Sequence, residues 1–163
     1  RMKRRYDADH VLERITRLRE KLPALVMSAD VMVGFPTETE QQYVETEQMV
    51  KQLNIAFPHV FSYSERDGTP AARIPANKQV LLAERKSRNK RLRDVGQQLQ
   101  VKLLQSKLGQ TAWVLAEKTA KREGYTVCRA EDYLAVLVPS ERVTLGRWSR
   151  VQYDTIENGY LVV

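Results

Sequence analysis

The hydrophobic pattern of this chain changes near Leu108, so the chain has two differently built parts. Before that point helices and strands alternate. Helices are predicted from about Asp7 to Lys21 and from about Thr39 to Leu53, and strands from Leu25 to Val33 and from Ile55 to Tyr63. Such alternation is typical of an α/β fold in which parallel strands are joined by helical crossovers.

Two local patterns refine this α/β prediction. Residues Leu25 to Val33 show little polar alternation, which predicts a strand covered on both faces. Thr37 and Glu40 have the spacing of a capping box, so they are predicted to begin the second helix.

A long helix is predicted from about Lys78 to Lys107. Its apolar stripe is confined to the second half, while Glu84 to Arg91 in the first half carries six charges. One end should therefore pack against the protein, and the other should face solvent or a partner.

The last part of the chain is rich in short β-like runs. Glu157-Asn158-Gly159 is typical of a hairpin turn. Five strands in so short a segment predict a small closed barrel, because closure removes exposed strand edges. The predicted strands are Thr111 to Glu117, Tyr125 to Arg129, Tyr133 to Val138, Arg150 to Thr155 and Tyr160 to Val163.

The positive charge is concentrated in the middle of the chain. The formal net charge is +7, and residues 76–107 hold 9 Lys and Arg against 2 Asp and Glu, whereas the flanking parts are balanced. A concentrated basic strip is expected of a surface that meets phosphates. The alternative is a solvated helix face with poor charge mixing.

Cysteine and histidine are scarce. The chain has 1 Cys and 2 His, so a disulfide framework within it is excluded and a metal site built by it alone is improbable. No apolar run approaches the ~20 residues of a membrane span. These features predict a soluble protein of a reducing, cytoplasmic compartment. The first residue is Arg1, which suggests a piece of a longer protein.

The sequence Gly-Phe-Pro directly follows the first predicted strand. Ligands of parallel sheets bind beyond the carboxyl ends of the strands. Gly34 lacks a Cβ and so permits close approach, while Pro36 fixes the turn. The alternative is that this sequence only turns the chain.

Several segments together resemble the radical S-adenosylmethionine methylthiotransferases. They are MKRRY at residues 2–6, ADVMVGFPTET at 29–39 and HVFSYSERDGTPAARIP at 59–75, in the order and spacing of that family. The basic helix and the β-rich end resemble the linker and the RNA-binding TRAM domain of the family. The resemblance covers essentially the whole chain.

The resemblance implies a domain organisation. Residues 1–76 would be the C-terminal part of a partial (β/α) barrel, 77–107 a basic linker helix, and 108–163 a five-stranded TRAM barrel. The family inserts sulfur and a methyl group into unreactive C–H bonds, using S-adenosylmethionine and two [4Fe-4S] clusters.

The cluster ligands of the family are missing from this sequence. One cluster is held by a Cys-x-x-x-Cys-x-x-Cys motif and the other by cysteines of an upstream domain. Cys128 alone cannot replace them. We therefore expect the chain to be the C-terminal fragment of such an enzyme, inactive without the N-terminal domains that would be its partners.

The resemblance also implies the cofactor contacts. Position 37 departs from the family pattern, since Thr stands where Gly is usual. Asp30 either is structural or faces the site. The residues predicted to line the S-adenosylmethionine pocket are Gly34, Phe35, Pro36, Glu38, Val60, Phe61 and Tyr63.

The predicted macromolecular partner is the tRNA anticodon stem-loop. The segments HVFSYSERDGTPAAR and EGYTVCRAEDYLAVLVP favour the branch that acts on N6-threonylcarbamoyladenosine beside the anticodon. Alternatives are the branches that act on isopentenyladenosine in tRNA or on an aspartate of a ribosomal protein, and a non-catalytic RNA-binding module.

Basic and aromatic residues supply the predicted RNA contacts. Trp148 lies among arginines, a combination suited to stacking an unpaired base. Trp113 and Trp148 could instead be core residues of a small barrel. Lys3, Arg4 and Arg5 could also meet the cofactor carboxylate, or they could form only a solvated entrance to the first helix. The predicted contacts are Lys3, Arg4, Arg5, Arg85, Lys86, Arg88, Lys90, Arg91, Lys121, Arg122, Arg129, Arg147, Trp148 and Arg150.

Overall fold

The computed structural model describes residues 5–163, so the predicted contacts Lys3 and Arg4 lie outside the described residues. The chain forms two compact units, one ending at Leu99 and the other running from Gln100 to Val163. The boundary therefore falls inside the long helix and not at its end.

The first unit contains helices and two strands in alternating order. Its elements are α1 (Ala8–Lys21), β1 (Ser28–Val33), α2 (Glu40–Gln52), β2 (Phe57–Ser62) and the beginning of α3 (Leu82–Lys107). β1 and β2 pair in parallel with Met32 opposite Phe61, which confirms the predicted helical crossover.

The capping box of α2 differs from the prediction. Thr39, and not Thr37, is the N-cap: its hydroxyl accepts from the Gln42 amide, and the Gln42 side chain accepts from the Thr39 amide. Thr37 cannot be the N-cap of α2, because its φ is +73° and its amide donates to the Lys78 carbonyl at 2.8 Å. It belongs to the loop before the helix.

The prediction that β1 is covered on both faces is wrong. Exposed residues alternate with covered ones along the strand, as on a sheet with one open face. Met32 and its cross-strand neighbour Phe61 are 43% and 53% exposed.

Helix α3 is shorter at its start than predicted, because Ala76–Lys78 forms a 3-10 turn. In its second half Leu92, Val95 and Leu99 are buried, as the apolar stripe predicts. The first half was expected to face solvent or a partner, but it also packs, through buried Arg88 and half-buried Asn89. Among residues 5–163, neither α3 nor any other helix is long and apolar enough to cross a membrane.

The second unit is a six-stranded sheet with the order β6-β3-β4-β5-β8-β7. The expected five-stranded closed barrel is not found: in the described part of the chain, β6 and β7 form the two ends of the order. The predicted fourth strand divides in two. The strands are β3 (Thr111–Thr119), β4 (Tyr125–Ala130), β5 (Ala135–Pro139), β6 (Trp148–Gln152), β7 (Thr155–Glu157) and β8 (Tyr160–Val162).

The last hairpin is confirmed. β7 and β8 are antiparallel, with Asn158 and Gly159 at φ values of +50° and +82°. Two successive positive φ values are what a two-residue hairpin turn requires. The turn thus separates β7 from β8 at the predicted place.

Candidate nucleic-acid interface and cofactor loop

The two segments predicted to line the cofactor pocket lie side by side. The Tyr63 amide donates to the Val33 carbonyl at 2.8 Å, directly before the loop of residues 34–38. Glu38 closes that loop, because its carboxylate accepts from the Gly34 amide at 2.6 Å. The carboxyl ends of β1 and β2 therefore converge as the parallel pairing predicts.

Gly34 is required for a close contact with helix α3. Its φ is +73°, and a Cβ added to it would collide with the Arg85 side chain at Cγ. The space that the absent side chain leaves is filled by this arginine. The structure thus gives the glycine a packing role in addition to the predicted cofactor contact.

Arg85 is committed to contacts within the first unit. Its guanidinium donates to the carbonyls of Val80 and Tyr63 and to the Gln79 side chain, at 2.7, 3.2 and 3.2 Å. It also lies 5.1 Å from the centre of the Tyr63 ring. We therefore interpret Arg85 as the residue that joins α3 to the loop of residues 34–38, which we call the cofactor loop.

Arg88 is a correction to the predicted RNA contacts. It is 4% exposed, and its guanidinium pairs with the carboxylates of Glu38 at 2.7 Å, Glu84 at 3.1 Å and Glu40 at 3.3 Å. A buried cation with three carboxylate partners has little capacity left for a phosphate. The prediction failed because Glu38 and Glu40 lie far from Arg88 in sequence.

Arg91 extends this ionic cluster to the surface. It pairs with Glu40 at 2.7 Å and Glu47 at 3.4 Å and lies 4.5 Å from the centre of the Tyr43 ring. The hydrogen bond from Arg91 lowers the pKa of the Glu40 carboxyl, against the opposing effect of burial. A bond from Lys51 similarly lowers the pKa of Glu47. Arg91 is thus held by carboxylates, although it remains exposed.

Lys86 and Lys90 are exposed residues of α3. Lys90 pairs with Asp94 at 2.6 Å. Together with Arg93, which the sequence analysis did not single out, they line a surface groove on α3. Charge counting could not separate these cations from the arginines that pair inside the unit.

The remaining predicted cofactor residues differ in accessibility. Pro36 is buried, Phe35 packs edge-on against Tyr63 at 5.5 Å, and the Val60 carbonyl accepts from Asn89 at 3.1 Å. All seven residues that were predicted to line the cofactor pocket lie within residues 5–163, and Phe61 is the one among them that is exposed. The Tyr63 hydroxyl is buried and has no hydrogen-bond partner within residues 5–163.

An open apolar surface therefore lies beside the loop. Met32 and Phe61 form it as cross-strand neighbours. Such a surface can take a flat, partly apolar group, since small-molecule sites combine apolar contact with a few polar groups.

The described residues do not fit an iron–sulfur cluster. In residues 5–163, no three His, Cys, Asp or Glu side chains are grouped to hold a metal ion. Cys128 is fully buried, and burial raises the pKa of its thiol to about 11. Cluster ligation requires several accessible thiolates.

One face of the second unit combines aromatic and cationic side chains. Trp113 lies opposite Arg150 and Leu115 lies opposite Trp148 in the β3–β6 register. Because side chains alternate along strands, these four residues lie on one face, which we call the aromatic face. Both tryptophans are about half exposed, at 48% and 53%. The alternative that they are core residues is wrong.

The residues between them on the strands form the core. Val114 and Ala116 alternate with the residues of the aromatic face along β3, and Val151 follows Arg150 on β6. Val114, Ala116 and Val151 are buried. The opposite, buried face thus leaves the aromatic face directed outward.

The other predicted RNA contacts of this unit are on its surface or rim. Arg129 lies opposite Leu115 and pairs with Glu117 at 3.1 Å. Arg122 pairs with Glu157 at 2.6 Å and lies 3.9 Å from the centre of the Tyr125 ring.

Three further predicted contacts are exposed loop or terminal residues: Arg5, Lys121 and Arg147. The sequence left Trp113 open between an RNA contact and a core position, because its partner Arg150 is set by the strand register. Tyr133, in the same unit, is 81% exposed.

The chain is similar to curated tRNA-modifying enzymes. It is 34% identical over 163 residues to the threonylcarbamoyladenosine tRNA methylthiotransferase of Rickettsia prowazekii, covering 99% of this chain and 36% of that protein. It is 36% identical over 152 residues to the tRNA-2-methylthio-N(6)-dimethylallyladenosine synthase of Ruegeria pomeroyi, covering 93% of this chain and 34% of that protein.

A shorter match has higher identity. The threonylcarbamoyladenosine tRNA methylthiotransferase of Bacillus subtilis is 45% identical over 74 residues, 45% of this chain and 16% of that protein. The chain spans about a third of the length of the two relatives that it matches over most of its own length. No family model matches it.

Proposed function

This chain is a homologue of the radical S-adenosylmethionine methylthiotransferases that modify tRNA, and we propose from that homology that it is the tRNA-binding portion of such an enzyme, with part of its cofactor pocket. The observation that carries the proposal is 34% identity along 99% of the chain to a tRNA methylthiotransferase. The aromatic face belongs to the second unit and the loop of residues 34–38 to the first.

We propose N6-threonylcarbamoyladenosine beside the anticodon as the nucleoside that the whole enzyme modifies. Two relatives that are named for this substrate support the choice. Dimethylallyladenosine is the alternative, because relatives named for it match the chain at comparable identity.

The aromatic face is the proposed surface for unpaired RNA bases. Trp113 and Trp148 are diagonal neighbours on adjacent strands, a relation that places two residues about 7–8 Å apart. Exposed aromatic rings stack on bases of any sequence, and Arg150 beside them adds a cation for the backbone. This geometry supports the 108–163 segment as an RNA-binding domain of the TRAM kind.

The cofactor loop is the proposed contact for S-adenosylmethionine, which supplies the methyl group when it is bound. Phe61 would lie against the adenosyl group, and Gly34 and Glu38 would fix the loop beside it. The cysteines that hold the clusters would come from outside this chain, since Cys128 does not fit that role.

The proposed function is tested with the protein encoded by the complete reading frame that contains this chain. After anaerobic reconstitution it would be incubated with S-adenosylmethionine, a reductant, a sulfide source and tRNA carrying threonylcarbamoyladenosine or dimethylallyladenosine. Nucleoside mass spectrometry should detect a 2-methylthio product of the first nucleoside. A product of the second alone would overturn the substrate choice, and no product from either would favour the non-catalytic RNA-binding module.

A further inference from the structure

Helix α3 carries a basic groove on the surface of the first unit. The groove has a volume of about 390 Å³, and its lining includes Lys86, Asn89, Lys90, Arg93, Asp94 and Gln97. Five of the lining positions, at 86, 90, 93, 94 and 97, follow helical spacing along one side of α3. The groove is therefore a continuous feature of this helix.

The cations of the groove differ from the other basic residues of α3. Arg85, Arg88 and Arg91 are held by carbonyls and carboxylates of the first unit. Lys86 and Arg93 form no ion pair within residues 5–163, and Lys90 pairs with Asp94 alone. Three cations thus face one carboxylate in an accessible groove, so a net charge of +2 is not neutralised by the groove's own residues.

The spacing of these cations fits a charged polymer better than a single anion. Lys86 and Arg93 are seven residues apart, about 10 Å along a helix. A nucleic-acid strand carries one charge per about 3.4 Å of its axis, so several phosphates can lie along this distance. The exposed Gln97 adds a side-chain amide that can bond to phosphate or ribose oxygens.

We propose that this α3 groove binds the phosphate backbone of RNA, as a second contact separate from the aromatic face. The inference rests on the proposed function for the identity of the RNA. The groove contributes attraction and position, while the aromatic face contributes base stacking. The two contributions differ in their dependence on salt, since contacts to phosphates release counterions and stacking does not.

An acidic protein is a weaker candidate for the same groove. The hot spots of protein interfaces are enriched in buried Trp, Tyr and Arg, and among the six residues named above only the exposed Arg93 is of these types. Asn89 is half-buried and is held by a bond to the Val60 carbonyl at 3.1 Å, so it contributes no apolar anchor either. This composition favours a hydrated, charged partner.

The test measures binding of an unmodified anticodon stem-loop RNA to the chain by fluorescence anisotropy at several salt concentrations. K86A/K90A/R93A should weaken binding and lower the slope of log affinity against log salt by about 1.4, because Lys86 and Arg93 are the two unpaired cations and each phosphate contact contributes about 0.7. The matched control is R14A/R17A/K51A, which removes three exposed cations of the same unit and should leave the slope unchanged. Far-UV circular dichroism verifies folding of both variants.

A gain-of-function variant excludes misfolding as the explanation. Asp94→Asn removes the single carboxylate and frees Lys90, so it should tighten RNA binding and steepen the salt slope by up to about 0.7. An unchanged slope in both Asp94→Asn and the triple variant, with RNA binding intact, overturns the groove proposal alone and makes an acidic protein the partner to test. Failure of the unaltered chain to bind RNA overturns both this proposal and the tRNA-binding part of the proposed function.

Discussion

The carboxylate of Glu38 lies 2.7 Å from the guanidinium of Arg88, and both side chains are almost completely buried. The same carboxylate accepts from the Gly34 amide. Through this pair, helix α3 holds the loop that follows β1. The position and shape of the proposed cofactor loop therefore depend on a residue that lies 50 positions further along the chain.

Arg88→Ala should strongly destabilise the chain, because it leaves the buried Glu38 carboxylate without its cation. Removing one partner of a buried ion pair costs about 3–5 kcal/mol of unfolding free energy. Urea unfolding followed by far-UV circular dichroism measures the loss. The matched control is Arg91→Ala, whose exposed pairs should cost less than about 1 kcal/mol. Equal losses in the two variants would contradict this account of Arg88.

Gly96→Ala should destabilise the first unit although alanine is the better helix former. A Cβ at Gly96 would lie 2.5 Å from Cγ and 2.8 Å from Cδ of Pro58. The overpacking costs about 1–3 kcal/mol, which outweighs or offsets the propensity gain of about 1 kcal/mol. The exposed Ser87→Ala on the same helix is the control and should be neutral or slightly stabilising. A clearly more stable Gly96→Ala variant would show that α3 and β2 are not in close contact.

Thr37→Gly should be more stable than Thr37→Ala by about 1 kcal/mol. Both variants lose the threonine side chain, but only glycine adopts the φ of +73° without strain. Comparing the two variants isolates the backbone effect from the side-chain contacts of Thr37. Thermal unfolding measures the difference, and an alanine variant of equal or greater stability would argue against a left-handed residue at this position.

The buried thiol should make stability fall in alkaline solution. Burial raises the pKa of Cys128 to about 11, above that of an unfolded thiol. The stability that the protonated thiol contributes is therefore fully present below the pKa of the unfolded thiol. It is lost as pH rises from about 8.5 through about 11. Unfolding free energies between pH 8 and pH 11 should fall more steeply for the unaltered chain than for Cys128→Ala. Parallel curves would mean that the thiol is not buried.

Periodicity was sufficient to predict the helices, the parallel strand pair and the last hairpin. It could not predict that β1 has one open face, because the apolar residue Met32 occupies an exposed position. The strand count also failed where two residues, Tyr153 and Asp154, separate β6 from β7. Short interruptions of this kind leave little trace in a hydrophobic pattern.

The site was predicted less completely because it depends on long-range pairing. The sequence indicates that residues 76–107 are basic, but whether each cation is available to bind a phosphate depends on which carboxylates are near it in space. Arg88 meets Glu38, whereas Lys86 meets solvent. In the same way, the pairing of Trp113 with Arg150 follows from register, which local sequence does not specify.

The most direct test of the account measures the affinity of the chain for an unmodified anticodon stem-loop RNA before and after W113A/W148A. Base stacking is worth about 1–3 kcal/mol per base, so affinity should fall at least about tenfold while the salt slope stays unchanged. W113F/W148F keeps aromatic rings at both positions and should retain most of the affinity. Equal affinities of the unaltered chain and the alanine variant would contradict RNA recognition by the aromatic face.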